Sequence, residues 1–167
     1  MEKKMNNKGF SLVELIIVVA IMAVLIGVLA PAYLQYVEKS KKTTDCTAIG
    51  DIMNAIETIA ADPAITWSDI TVKIDTSGCT YTGEPTDAAG NDCLDAIVPE
   101  SDVALTGTWD GGDIEFTATK GGNGIVTFTL ASGGITTTEI DAISPALSKR
   151  FGGTTSTGGS TGGTTTP

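Results

Sequence analysis

Residues 10–37 read FSLVELIIVVAIMAVLIGVLAPAYLQYV, and this stretch decides the fold. From Leu15 to Ala32 it contains 18 consecutive residues without a charged side chain. At about 1.5 Å per residue, a helix of that length spans about 27 Å, which is close to the hydrocarbon thickness of a bilayer. The sequence therefore predicts an N-terminal helix that is able to cross a membrane.

One charged residue, Glu14, lies inside this stretch and separates three interpretations of it. A secretory signal peptide would have a shorter apolar run, no internal acid, and a better cleavage site than Ala30-Pro31-Ala32. A plain membrane anchor fits the length, but a carboxylate in lipid is costly and is by default a sign of function. The third interpretation takes residues 8–14 as a single motif.

The motif KGFSLVE at residues 8–14 resembles the prepilin leader of type IV pilins and pseudopilins. The family pattern is a short basic leader that ends in Gly, then Phe, then Ser or Thr, Leu or Met, any residue and Glu, followed by a long apolar run. Pro31 matches the proline that bends the family's helix, and the resemblance covers roughly residues 1–60. The motif positions that match are Gly9, Phe10, Ser11, Leu12 and Glu14.

The resemblance implies how the N-terminus is processed and used. A prepilin peptidase would cut between Gly9 and Phe10 on the cytoplasmic side, and the new Phe10 amine would be methylated. Removing the leader, residues 1–9, from the 167-residue chain leaves 158 residues. Glu14 is implied to pair with the Phe10 amine of a neighbouring subunit, because an unpaired carboxylate among apolar helices is strongly unfavourable. Phe10, Glu14 and Pro31 are therefore the expected assembly residues.

The helix is expected to continue beyond residues 10–37 to about Ala61, where Asp62-Pro63 stops it. Pro31 is expected to kink the helix or unwind it locally. In the second half of the helix, apolar residues recur at i, i+3, i+4, i+7 and i+10, which predicts one buried face. These residues are Ile49, Ile52, Met53, Ile56 and Ile59.

The rest of the predicted globular domain, residues 38–151, alternates apolar and polar residues as strands do. One apolar face and one Thr-rich face describe an antiparallel sheet with one solvated side. The helix face at 49–59 is the one long apolar stripe in the sequence that is able to cover the other side. The predicted fold is α+β, a long kinked helix whose C-terminal half packs on a small antiparallel sheet, which is the ladle that the pilin resemblance implies. The predicted strands are 70–74, 103–109, 114–119, 126–130 and 135–140.

Composition excludes several classes of protein. The chain has 20 acidic and 10 basic residues and no His, so neither a His-dependent nucleophile nor a His-ligated metal is possible. The resulting net charge of −10 argues against nucleic-acid binding by the subunit. No acid–base or nucleophile set is evident, so we expect neither an enzyme nor a cofactor. A charged collar between the two helix halves either lies above lipid headgroups or forms salt bridges between subunits, and it comprises Glu38, Lys39, Lys41 and Lys42.

Three cysteines, Cys46, Cys79 and Cys93, are candidates for disulfide formation. An exported domain favours a disulfide, and Cys79–Cys93 would close a polar loop and leave Cys46 unpaired. Pairing of Cys46 with either of the others would tie the helix to that loop. A zinc site formed by all three is a less favoured alternative, because their spacing is not a known zinc signature.

Acidic turns and the C-terminal tail complete the sequence. Asp110 and Asp113 are weak candidates for a calcium site, as are the acids of 87–92, but neither stretch matches a calcium loop and ordinary turn chemistry is favoured. Residues 152–167 contain only Gly, Thr, Ser and Pro, which predicts a disordered tail.

The resemblance implies a structural subunit of a type IV pilus filament, with roles of the adhesion, motility or DNA-uptake type. Its partners would be copies of itself, other pilins, prepilin peptidase, an inner-membrane assembly platform and, before assembly, the membrane. The precursor would be a single-pass membrane protein with a cytoplasmic N-terminus, and the polymer would lie outside the cell. A pseudopilin of type II secretion or competence is the alternative within the family, and a membrane-tethered extracellular binding module is the alternative from another class.

Overall fold

The computed structural model describes residues 9–131 and 134–152 of the 167-residue chain. Residues 1–8, 132–133 and 153–167 lie outside the described residues, so the predictions of a cleaved leader and a disordered tail fall almost entirely outside them. One compact unit ends at Glu38, and a second begins at Lys39.

Helix α1 runs from Leu12 to Ala61. It ends where the sequence predicted, because the residue before Pro63 is disfavoured in a helix and the Asp62 carboxylate accepts the backbone N–H of Ala64 at 2.8 Å. The helix continues through Pro31 without interruption, so the local unwinding that the sequence analysis allowed does not occur. A proline removes one backbone donor, and the surrounding helical hydrogen bonds persist.

Four antiparallel strands form one sheet in the order β2-β1-β3-β4. The alternating residues of β1 and β3 point into the core, where the apolar stripe of helix α1 is also buried. This arrangement confirms the predicted α+β fold, with the second half of the helix packed on a small antiparallel sheet. The strands are β1 (Ile70–Ile74), β2 (Cys79–Thr82), β3 (Ile114–Lys120) and β4 (Val126–Leu130).

Three segments differ from the predicted strands. Residues 103–109 form a loop in which Val103, Leu105 and Trp109 are nevertheless buried. The predicted strand at 135–140 is wrong, because Thr136 and Glu139 form a capping box that begins helix α3 (Thr137–Ile143). The predicted polar loop between Cys79 and Cys93 begins instead with strand β2, which pairs with β1 and buries Cys79 and Tyr81.

Short elements cover both edges of the sheet. Helix α2 (Leu94–Ile97) and a 3₁₀ turn (Glu100–Asp102) follow β2, and the Glu100 carboxylate accepts the Tyr81 N–H of that edge strand at 2.8 Å. At the other edge, Phe151 forms a parallel bridge with Phe128 of β4 after helix α4 (Pro145–Ser148). Covered edges protect a sheet against unwanted pairing with other strands.

Candidate functional site

The apolar segment at the start of helix α1 has no cover within the described chain. Every side chain from Phe10 to Tyr36 is exposed, although most of them are Leu, Ile, Val or Ala. The helix is long and apolar enough to cross a membrane by its length and composition. An exposed apolar surface of this extent marks a contact with lipid or with other protein chains.

Glu14 occupies the third position of helix α1 and caps its beginning. Its Oε2 atom accepts the backbone N–H of Ser11 at 3.0 Å, and Ser11 directly precedes the first helical residue, Leu12. This is the glutamate half of a capping box, in which an acid at the third helical position satisfies a backbone donor that the helix leaves unpaired. The pattern Ser-x-x-Glu at residues 11–14 signals this cap, but the sequence analysis did not identify it.

Capping uses only part of the hydrogen-bond acceptor capacity of the Glu14 carboxylate. An ionised Glu has two oxygens with about four acceptor positions, and one bond to Ser11 leaves capacity for a cation. The helix N-terminus itself carries a partial positive charge that favours an acid in the first turn. The Glu14 carboxylate is therefore held in the first turn of the helix, one turn after Phe10, whose side chain is 90% exposed.

Pro31 lies within the same exposed helix segment, and the nearest glycine is Gly27, one turn earlier. Because Pro31 has no N–H, the helix lacks the bond that residue 31 would donate to the carbonyl of residue 27. A Cβ added at Gly27 would meet no atom within 4 Å. This part of the helix therefore combines a missing backbone bond with a small, uncrowded position.

Comparisons with known proteins decide the family. Residues 4–30 match the model of the prokaryotic N-terminal methylation motif. The chain is 32% identical over 116 residues to prepilin peptidase-dependent protein A of Clostridium perfringens, which covers 68% of this chain and 83% of that protein. The chain belongs to the type IV pilin and pseudopilin family. It is a pilin-type or pseudopilin-type subunit, with a membrane-anchored precursor.

Other similarities cover a smaller part of the pilin chain. Over 59 residues it is 39% identical to the type IV major fimbrial protein FimA of Dichelobacter nodosus, a match that spans 35% of this chain and 38% of that protein. No solved structure matches this chain.

The three cysteines of the pilin domain are thiols in the structure. Burial raises the pKa of Cys46 to about 11, and the neighbouring Asp45 charge adds to the shift. Burial likewise raises the pKa of Cys79 to about 11. Cys93 is partly exposed. The Cys79–Cys93 disulfide stays a prediction, and the described residues contain no cluster of three or more His, Cys, Asp or Glu side chains placed to hold a metal ion.

The weak metal candidates, Asp110 and Asp113, lie in a turn with other contacts. The Asp113 carboxylate forms an ion pair with Lys73 at 2.9 Å. The backbone N–H of Asp110 donates to Glu139, whose carboxylate also caps helix α3. Gly111 allows this turn to lie against residues 134–135, since an added Cβ would be 2.3 Å from Gly134. The observed contacts are those of an ordinary packed turn.

The C-terminal segment closes the globular unit onto helix α1, which the sequence analysis did not anticipate. Arg150 donates to Asn54 at 2.9 Å and to Glu57 at 2.8 Å on that helix. Phe151 is buried, with its ring centroid 5.6 Å from that of Phe116 in an edge-to-face arrangement. Two adjacent residues thus contact different elements: Arg150 bonds to helix α1, and Phe151 packs on the sheet.

Proposed function

We propose that this pilin-family chain is a structural subunit that polymerises into a type IV pilus through its N-terminal helix after its leader, residues 1–9, is removed. The observation that carries the proposal is the exposed apolar helix of residues 12–36, whose one charged side chain, Glu14, lies in the first turn. The role is structural rather than catalytic.

Cleavage between Gly9 and Phe10 supplies the group that Glu14 needs. Before cleavage, the nitrogen of Phe10 is a peptide amide, and afterwards it is a cationic amine, which this family methylates. Gly9 is exposed, and a Cβ there would meet nothing within 4 Å, so the bond is open to a protease. The name of the Clostridium perfringens relative, which states dependence on prepilin peptidase, supports the same processing for this chain.

Pairing between Glu14 and the Phe10 amine of a neighbouring subunit would select one stagger between packed helices. Apolar side chains attract without directional preference, so they tolerate several axial offsets. A carboxylate and an amine in a low-dielectric environment interact strongly only when they are close, and either one alone is strongly disfavoured. The pairing therefore supplies specificity, while the apolar helix surface supplies most of the contact.

Pro31 would let the helix adapt during assembly. The missing backbone bond at residue 31 reduces the resistance of the helix to bending, and Gly27 adds freedom one turn earlier. The precursor would span the inner membrane with its N-terminus in the cytoplasm, where the peptidase and an assembly platform act on it. The polymer would then carry the acidic domain outside the cell.

The test separates helix capping from pairing by comparing three changes of Glu14. Glu14→Gln retains a side-chain acceptor at the capping position but removes the charge. If Glu14 pairs with an amine, the Glu14→Gln and Glu14→Ala variants should both fail to assemble. Glu14→Asp, which keeps the charge, should retain part of the assembly. Asp51→Ala, which removes an exposed acid elsewhere on helix α1, is the matched control and should assemble normally.

Two measurements on each variant distinguish processing from assembly. Mass spectrometry of membrane fractions reports leader removal, which should be normal in all Glu14 variants and blocked in Gly9→Val. Electron microscopy of sheared material reports filaments. Normal filaments from Glu14→Gln would contradict the pairing and leave Glu14 as a helix cap. A processed wild-type chain that forms no surface filament would favour a pseudopilin, and an intact Met1 in the membrane would favour a simple tether.

A further inference from the structure

Asp45 on helix α1 is the only charged side chain that is buried among residues 9–131 and 134–152, with 2% of its surface exposed. It directly precedes Cys46, the first buried apolar residue of this helix. A buried carboxylate is tolerated only when hydrogen bonds replace its hydration. The groups around Asp45 must therefore supply the hydrogen bonds that water would otherwise provide.

Four donors from one loop converge on Asp45. Its Oδ1 accepts the backbone N–H and the hydroxyl of Thr106 at 2.9 and 2.8 Å. Its Oδ2 accepts the backbone N–H of Gly107 and the indole N–H of Trp109, both at 2.9 Å. We call Asp45 and residues 106–109 the Asp45 clasp. Hydrogen bonds to an ionised acceptor are shorter and stronger than neutral ones.

Close backbone approach makes the clasp specific to one place on the helix. A Cβ added at Gly107 would lie 2.7 Å from the Lys42 Cγ and 3.1 Å from the Lys42 backbone nitrogen. Only glycine allows the loop to lie this close to helix α1. The Lys42 ammonium also lies 4.9 Å from the centre of the Trp109 ring, so helix and loop meet again one turn before Asp45.

The apolar stripe of helix α1 defines its axial position only in part. A shift by four residues, about one turn, places Ile49 where Met53 was, and Ile52 where Ile56 was. All four of these residues are fully buried, so the Met53 and Ile56 sites would still receive a large apolar side chain, whereas the Ile49 site would receive Asp45. Hydrophobic burial is non-directional, so these two sites alone specify the register weakly.

We propose that the Asp45 clasp sets the axial position at which helix α1 docks on the sheet of its own domain. A shift of one turn in one direction brings Ile49 to the four donors, which are then buried without an acceptor. A shift in the other direction brings Lys41, a cation, to the same donors. Buried polar groups are known to fix register in packed helices. This inference goes beyond the proposed function, because it involves only residues of the globular unit.

The first measurement uses the unmodified full chain in detergent micelles. Hydrogen exchange followed by nuclear magnetic resonance should show strong protection of the Gly107 amide and of the Trp109 indole N–H. In Asp45→Asn, which has only one carbonyl oxygen to accept with, the Gly107 amide should exchange roughly tenfold or more faster. Asp51→Asn, an exposed change on the same helix, should leave it unchanged. Rapid exchange of both groups in the unmodified chain would overturn the clasp.

The second measurement tests the register itself. Spin labels at Thr58→Cys on helix α1 and Thr127→Cys on β4, in a Cys93→Ser background, report the distance between helix and sheet; both labelled positions are exposed. Asp45→Leu should add a second distance, displaced by up to about 5 Å, one helical turn. If Asp45→Leu does not fold, Asp45→Asn takes its place. A single distance, unchanged from the parent, in the folded variant would overturn the proposal.

Discussion

Replacing Phe151 with Ala tests whether the last described core residue secures the globular unit. Phe151 packs edge-to-face on Phe116 and pairs with β4 through Phe128. It is 6% exposed, so truncation to Ala removes a nearly complete ring from the core. The neighbouring Arg150 remains in place and keeps its bonds to helix α1.

The expected magnitude follows from the burial of this ring. Truncating a buried Phe to Ala costs about 3–5 kcal/mol, of which an aromatic pair supplies about 0.5–1.5 kcal/mol. Phe151 packs beside β4, which is an edge strand of the sheet, so the lower end of that range applies. We therefore expect a loss of about 3 kcal/mol, a large part of a typical domain stability of about 5–15 kcal/mol.

Urea unfolding of the full chain, followed by fluorescence of Trp67 and Trp109, measures this change. Phe151→Leu should lose less than half as much, because most of the volume is retained. Ile125→Ala, which removes a side chain that is 61% exposed, is the control and should change stability by no more than about 0.5 kcal/mol. A loss below about 1 kcal/mol for Phe151→Ala would refute the conclusion that the C-terminal segment belongs to the core.

Two further predictions concern titratable groups of the domain. Cys46 and Cys79 should resist alkylation of the native reduced protein near neutral pH, because burial raises the pKa of both thiols to about 11. Cys93 should be alkylated faster than the other two. In exported protein, an intact mass lower by two hydrogens would support the Cys79–Cys93 disulfide. Three reactive thiols after unfolding without reductant would contradict it. Hydrogen bonds from Asn91 and Ala89 hold the pKa of Asp87 below its usual 3.8. These bonds therefore stabilise the fold above the unfolded pKa, and their contribution is lost as the pH falls through the folded pKa. A titration of the Asp87 carboxyl followed by nuclear magnetic resonance should have its midpoint below 3.8. A midpoint above that value would be inconsistent with these bonds.

The elements that the sequence predicted well are those whose pattern is set by local chemistry. Helix α1 ends at Ala61 because Pro63 follows, and its buried face repeats at helical spacing. Strands β3 and β4 alternate around a glycine-rich turn, in which Gly124 has a φ of +81°. The processing motif at residues 8–14 is also recognisable from the sequence, because it is one contiguous stretch.

The elements that were missed depend on distant contacts. Residues 103–109 alternate as a strand does, but the buried Asp45 carboxylate draws their backbone N–H groups onto helix α1 instead of into the sheet. Nothing near residue 45 in the sequence signals that partner, which lies 61 positions or more away. Helix α3 has a local signal, the capping box Thr136-x-x-Glu139, which outweighs the alternation of residues 135–140.

The first residue of the polymerised chain tests the central claim most directly. Filaments sheared from cells should contain a chain of 158 residues that begins at Phe10 and carries a methyl group on its amine, which intact mass and N-terminal sequencing determine together. A polymerised chain that still begins at Met1 would contradict the account, because its amine would then be nine residues away from the position from which Glu14 is able to pair with it.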